Sequence, residues 1–374
     1  MRSRWAFVLI LVFVLANCSA RREREFRFLE TGRPLFTLGT EDSGHYYSAI
    51  FAYSVDRAGR AFLWDSQLPD HVDVYDDQGR FAFQFGRRGQ GPGEFQHLGN
   101  IAVDSTGTIW ANDGNHKSLA RFDVHGEYLD DVPLPKEIRE PYIRRMIFDP
   151  DDELILLCAT QDGPAVVYRF LPKTGALKAI QKASHWTSVS FVRFMIDVAL
   201  DQAGDIYITD AYEYRLYVYS QDGRLLRTYE EPRFKKERIL AKDFDIFKDY
   251  SLNVMRDPDY KQALGLLAGD AAYFPAIFGV NVDEGTVYIW TSEQDEGKRF
   301  RIDLYDKDFH KRGIAHYFNR MGLNQAKIVG GRLYLPSIEN TNPNIVKRVG
   351  RITPLNNPEF LNAYSISKEI LSGK

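Results

Sequence analysis

Three observations in this 374-residue chain predict an all-β fold, a six-bladed β-propeller with a helical insertion between blades four and five. An apolar strand ending in Asp, a turn with Gly, and a strand of aromatic and β-branched residues recur in that order along the sequence. The turn glycines Gly59, Gly107, Gly204, Gly285 and Gly330 are separated by 48, 97, 81 and 45 residues, the second interval spanning two copies. A unit of about 45 to 50 residues carrying four strands has the period of a propeller blade, because such a sheet buries both faces only by stacking on neighbours.

The N-terminus precedes this pattern. Arg2 and Arg4 stand before the apolar run Trp5 to Ala16, which gives way to Asn17, Cys18, Ser19, Ala20 and the charged residues 21–25. That layout is a secretory signal peptide over residues 1–20, and the run is too short for a spanning helix of about 20 residues. Leu15-Ala16-Asn17-Cys18 resembles the lipobox of bacterial lipoproteins, which implies lipidation at Cys18 and a membrane anchor. Asn17 stands where that family prefers Gly, Ala or Ser, so cleavage after Ala20, with a periplasmic or secreted product, is the alternative. The second cysteine, Cys158, lies in the apolar stretch Leu154 to Ala159 and reads as a small core residue. Residues 21–374 then form a single propeller domain.

Within that domain, the segment from Phe26 to Leu38 lies outside the first copy and is expected to lend a strand to the last blade. Copy one runs from Tyr53-Ser54-Val55-Asp56 through Ala61-Phe62-Leu63-Trp64 and Val72-Asp73-Val74-Tyr75 to Phe81-Ala82-Phe83. Copy two repeats it from Ile101 to Gly126, copy three from Met146 to Gly175 with Asp151-Asp152 in place of the turn glycine, and copy four from Val198 to Gly223. Between copies four and five, residues 231–276 depart from the pattern; Asp257-Pro258-Asp259 ahead of Tyr260 to Leu267 reads as a capped helix start. This insertion is either a solvated helix on the rim or a lid over one mouth. Copy five runs from Val280 to Tyr305, and copy six is expected on Ala326 to Val329, Leu333 to Leu335 and Arg348 to Ile352. Trp64, Trp110 and Trp290 are expected at corresponding inter-blade positions.

Gly86-Arg87-Arg88-Gly89-Gln90-Gly91-Pro92-Gly93-Glu94-Phe95, followed by Gly99 to Asp104 and by Asn112-Asp113-Gly114-Asn115-His116, resembles the NHL-repeat propellers. With the leader and the Tyr273-Phe274-Pro275 end of the insertion, the chain is similar to a bacterial six-bladed β-propeller family of exported proteins and lipoproteins. That resemblance implies a fold and an envelope location, since propellers host both binding proteins and enzymes. The glycine run lacks the Lys-Ser/Thr of a phosphate loop.

Lys plus Arg number 48 and Asp plus Glu 51, a net charge of -3, which offers no field for nucleic acid. The eight histidines are scattered, without a metal-ligand pair, and no Gly-x-Ser-x-Gly elbow is present, so the sequence assigns no catalytic residue, metal or cofactor. Ligand candidates come from counting back four residues from the Asp that closes each inner strand, which gives Ala52, Asn100, Arg145, Asp197 and Gly279; Ser54, Ala102, Ile147, Ala199 and Asn281 follow on the same face. Asn100, Arg145 and Asp197 are the channel candidates, with His97 and Arg144 near the entrance. Arg145 and Asp197 are read either as a buried brace or as part of a polar pocket. The leading expectation is an envelope-associated binding or scaffold protein that recognises a protein, peptide or glycan on a propeller face. The alternative is a metal-dependent hydrolase or lyase with its site in the central channel.

Overall fold

The computed structural model describes residues 23–39, 47, 53–65, 71–114, 117–138, 142–159, 165–182, 196–210, 213–232, 234, 276–295, 299–317, 326–338 and 359–372. The signal segment with Cys18, the residue Ala52 and nearly all of the insertion at 231–276 lie outside them.

Six antiparallel sheets follow one another around a ring, each with its first strand innermost. Blade 1 is Tyr53–Val55, Ala61–Leu63, Val72–Tyr75 and Phe81–Phe85. Blade 2 is Leu98–Val103, Ile109–Asp113, Ser118–Phe122 and Tyr128–Pro133. Blade 3 comprises Tyr142–Phe148, Leu154–Ala159, Val166–Leu171 and Ala176–Lys182. Blade 4 comprises Val198–Leu200, Ile206–Thr209, Arg215–Tyr219 and Leu225–Glu230. Blade 5 is built from Ile277–Asp283, Thr286–Gln294, Phe300–Asp306 and Lys311–Tyr317.

Blade 6 has three strands of its own, Lys327–Val329, Arg332–Ile338 and Glu359–Ser365, and takes its outermost strand, Phe36–Leu38, from the N-terminal segment. Its third strand is therefore Glu359–Ser365 and not the expected 348–352, which lies outside the described residues. The alternation that marks it, with Leu361 and Ala363 fully buried, comes late in the chain after a long connection. Upstream, Glu25–Phe26 pairs in parallel with the outer strand of blade 5. One stretch of chain thus straps the last two blades and completes the ring.

Burial follows position within the blade. Second strands such as Ala61–Leu63, Leu154–Ala159 and Ile206–Thr209 are buried throughout, because a neighbouring blade covers each face, whereas the outer strand Leu225–Glu230 is almost wholly exposed. The tryptophans bear this out with one change of register. Trp64 and Trp290 correspond, each two residues past the residue, Phe62 or Tyr288, that pairs with Ser54 or Asn281, while Trp110, which pairs with Ala102, matches Phe62 and Tyr288 on the same face. All three are buried between blades, Trp64 beside Ile101 and Ile109, Trp110 beside Phe148, and Trp290 beside Leu333. The offset escapes a reading by residue type because positions two apart on a strand face the same neighbour.

The Asp-Gly turns are structural. In blade 2, Asp104 Oδ1 accepts the N–H groups of Thr106 and Thr108 at 3.0 Å each, and Asp149 and Asp201 do the same in blades 3 and 4. The turn needs a positive φ, supplied by Gly107 at 87° and, in the copy without glycine, by Asp152 at 59°, a residue type that tolerates this region. Cys158 is a free, buried thiol in the core between blades 2 and 3, and burial pushes its pKa up to about 12, which suppresses thiolate chemistry.

Candidate functional site

The inner strands all run in the same sense, so residues at one level of each strand meet at one level of the channel. Along these strands, at two neighbouring levels, a polar side chain or backbone amide links every blade to the next. Ser54 Oγ donates to the Ile101 carbonyl at 2.8 Å, joining blades 1 and 2. Asn100 Nδ2 donates to the Ile143 carbonyl at 2.6 Å, joining blades 2 and 3. Arg145 Nε and Nη2 donate to Asp197 Oδ1 and Oδ2 at 2.7 and 3.0 Å, joining blades 3 and 4. The Val280 N–H donates to Asp197 Oδ2 at 3.2 Å, joining blades 4 and 5. Asn281 gives its amide to the Ala326 carbonyl at 3.3 Å and accepts the Ile328 N–H at 3.0 Å, joining blades 5 and 6. Lys327 Nζ donates to the Tyr53 carbonyl at 2.5 Å and lies 4.7 Å from the centre of the Tyr53 ring, joining blade 6 back to blade 1.

This belt explains why buried polar groups are tolerated here, since each is hydrogen-bonded. It also sorts the sequence candidates. Asn100 is fastened to blade 3, and Arg145 with Asp197 forms the brace between blades 3 and 4. Asp197, 3% exposed, is held by four donors: both Arg145 nitrogens, the Val198 N–H at 2.9 Å and the Val280 N–H. His97 sits in the loop leading into blade 2 with its side chain exposed, and its backbone is fixed by Asp113 Oδ1 accepting its N–H at 3.2 Å.

Arg144 sits at a break in the ladder of blade 3. Ile143 pairs with Cys158 and Arg145 with Leu157, so Arg144 is the extra residue of a β-bulge. Blades 2 and 5 carry bulges at the equivalent place, at Gly99 and Phe278. Burial draws the Arg144 pKa down to about 10; the Asp197 carboxylate opposes this and the Arg145 cation adds to it, so all three lie within electrostatic reach of one another.

Lys327 was missed by the count along the sequence. Copy six lacks the Asp that marks the strand end, but its pairing of Val329 with Arg332 matches that of Asp283 with Thr286 and puts Lys327 level with Ser54 and Asn281. Burial pulls its ammonium down to about 7, Arg145 lowering it further and Asp197 raising it. Lys327 thus brings an ammonium within electrostatic reach of the Arg145–Asp197 pair. The mouth where the inner strands end is crossed by Arg57 of blade 1, whose Nη2 donates to the Phe148 carbonyl of blade 3 at 2.9 Å. Among the described residues no group of three or more His, Cys, Asp or Glu is placed to hold a metal ion.

The fold and this belt define a six-bladed β-propeller. Residues 53–143 match the model of a family described as a 6-bladed beta-propeller. Among solved structures, a member of the duf4221 family from Bacteroides vulgatus is similar at a TM-score of 0.55 and 14% identity, over 92% of this chain and 99% of that one. A protein of Bacteroides fragilis described as a candidate exported protein is similar at a TM-score of 0.51 and 16% identity, over 92% and 95%. No curated protein sequence matches the chain. At these identities the likeness concerns the fold.

Proposed function

We propose that this protein is an exported, envelope-associated binding or scaffold propeller that recognises a protein, peptide or glycan at the face where the inner strands begin. The observation that carries this reading is the belt of fastened polar groups around the channel, which includes the Arg145 guanidinium, the Asp197 carboxylate and the Lys327 ammonium. Rigid elements that present fixed charges suit recognition, and propellers commonly bind at a channel mouth. The inner strands start at this face, and blade 4's outer strand ends on it at Glu230 before blade 5 starts on it at Ile277. The leader with Cys18 supports export and lipid anchoring. The test is an unbiased screen: purified protein is applied to glycan and peptide arrays beside the Arg144→Ala variant. Ligands retained by the wild type and lost by the variant support the reading; an array on which neither protein retains anything counts against it.

A further inference from the structure

We infer that the outer edge of blade 5, together with the strap laid along it, docks on the anionic headgroups of a lipid bilayer, so that the ring stands on its rim. The inference rests on the lipid anchor at Cys18 proposed above and adds a docking surface to it.

The strap is fastened to blade 5 a short way from that anchor. Glu23 accepts Lys311 Nζ at 2.7 Å and Arg301 Nη2 at 3.0 Å, the Ile314 N–H donates to the Arg24 carbonyl at 2.8 Å, and Glu25 Oε1 lies 2.9 Å from His316 Nδ1. Glu23 stands five residues after Cys18, a length of chain that spans at most about 18 Å when fully extended. A lipid on Cys18 therefore keeps the outer edge of blade 5 near the headgroups. Blade 2 lies across the ring. With neighbouring strands about 4.8 Å apart, the outer edges of these two blades are separated by at least about 29 Å.

Charge decides which surface turns to the bilayer. On the blade 5 edge the carboxylates are engaged: Glu23 and Glu25 as above, Asp295 by Arg299 at 2.6 Å, Asp308 by Arg227 at 3.3 Å, and Asp306 by two N–H groups of its own turn at 2.9 Å each. Arg27 and Lys307, both exposed and near opposite ends of this edge, have no side-chain partner among the described residues. Beside Arg27 an open groove of about 510 Å³, lined also by Arg299, Phe26 and Phe28, leaves room for a headgroup. The corresponding edge of blade 2 carries Asp123, Glu127, Asp130 and Asp131 against Arg121. The face where the inner strands end carries Asp56, Asp104, Asp149, Asp201 and Asp283 in the first turns of blades 1 to 5. An anionic bilayer attracts the first of these surfaces and repels the other two. Standing on the blade 5 edge, the ring turns both channel mouths sideways, where a soluble partner reaches them.

The experiment uses full-length protein purified with its lipid from membranes and reconstituted in vesicles of phosphatidylglycerol and phosphatidylethanolamine. A bimane fluorophore is attached at His310→Cys on blade 5 or at His125→Cys in the corresponding turn of blade 2. Wild type, whose Cys158 is buried, serves as the unlabelled blank. Nitroxide on the lipid headgroups is expected to quench the probe at 310 about threefold or more over the probe at 125. Combining Arg27→Gln with Lys307→Gln, or replacing phosphatidylglycerol by phosphatidylcholine, is expected to cut that ratio by about half or more. Both substituted side chains are exposed, so the double variant is expected to melt within a few degrees of wild type. Equal quenching, stronger quenching at 125, or a ratio unchanged by the double variant or by phosphatidylcholine overturns the inference. Mass spectrometry of the same preparation keeps the two claims apart. An unmodified Cys18 overturns the anchor and the docking with it, whereas a lipidated protein whose two probes are quenched alike overturns the docking alone.

Discussion

The guanidinium of Arg145 grips the carboxylate of Asp197 from both ends, Nε to Oδ1 at 2.7 Å and Nη2 to Oδ2 at 3.0 Å, and so ties blade 3 to blade 4 at the channel. Asp197 also accepts the Val280 N–H and thereby holds blade 5 as well. One carboxylate fixes the mutual placement of three blades. Removing it takes the bidentate partner from a partly buried guanidinium and the acceptor from two amide donors. Asp197→Ala is expected to lower stability by about 3 to 5 kcal/mol, and replacing both partners with apolar residues of similar volume is expected to restore much of the loss. Urea denaturation of the three variants checks this, and an Asp197→Ala protein as stable as wild type would refute the bracing role.

The two equivalent tryptophans separate hydrogen bonding from packing. Trp64 Nε1 donates to the Leu98 carbonyl at 3.1 Å across the blade boundary, whereas the buried Trp290 Nε1 has no acceptor among the described residues. Truncation to Ala should cost about 3 to 5 kcal/mol at either site. Substitution by Phe should distinguish them: Trp64→Phe strands the Leu98 carbonyl and is expected to cost about 1 to 3 kcal/mol more than Trp290→Phe. Equal losses in a denaturation series would show that the indole N–H of Trp64 contributes nothing.

Much of this architecture could be read along the chain, and the exceptions have physical causes. Blades 1, 2 and 4 declare themselves because the Asp that closes the inner strand and the Gly three residues later both answer to one turn geometry. Blade 3 hides its turn behind Asp152, which adopts the same positive φ. Arg145 and Asp197 pair as the count in twos suggested, and Arg144, read from the sequence as lying near the entrance, is the extra residue of a bulge, which no period of two anticipates. Lys327 stayed hidden because copy six dispenses with the Asp from which the count begins. The completed ring of links depends on carbonyl acceptors such as those of Ile101, Ile143 and Tyr53, which are present in any sequence and mark none.

The N-terminal strap should behave as part of the core despite its position. Leu38 is fully buried against Tyr53, Tyr334 and Leu361, while Leu35, three residues earlier, is 53% exposed. Leu38→Ala is expected to destabilise by about 2 to 5 kcal/mol and Leu35→Ala by less than about 0.5 kcal/mol. Thermal melts of the two variants provide the comparison, and a neutral Leu38→Ala would mean that blade 6 is stable without its borrowed strand.

Lipidation is expected at Cys18, on the strength of the leader and of the role Cys158 fills in the core. Clickable palmitate fed to cells producing the protein should label the wild type and Cys158→Ala but not Cys18→Ala. Loss of label only in the Cys158 variant, or equal labelling of all three, would contradict it.

Lys327 makes the pH dependence of stability testable. Burial holds its folded pKa near about 7, below the ordinary value of 10.5, so between these values the unfolded chain carries a proton that the folded chain does not. Stability contributed at this site therefore rises with pH across that window, and below about pH 7, where both states are protonated, the full cost of a charged lysine in the channel is present. Lys327→Met removes the titration. It also removes the bond to the Tyr53 carbonyl, a loss that does not vary over the same range. The difference in stability, variant minus wild type, is accordingly expected to be most favourable to the variant near pH 6 and to fall steadily toward pH 10. Urea denaturation at several pH values measures it directly, and a difference that stays constant between pH 6 and pH 10 would show that Lys327 keeps an ordinary pKa in the folded protein.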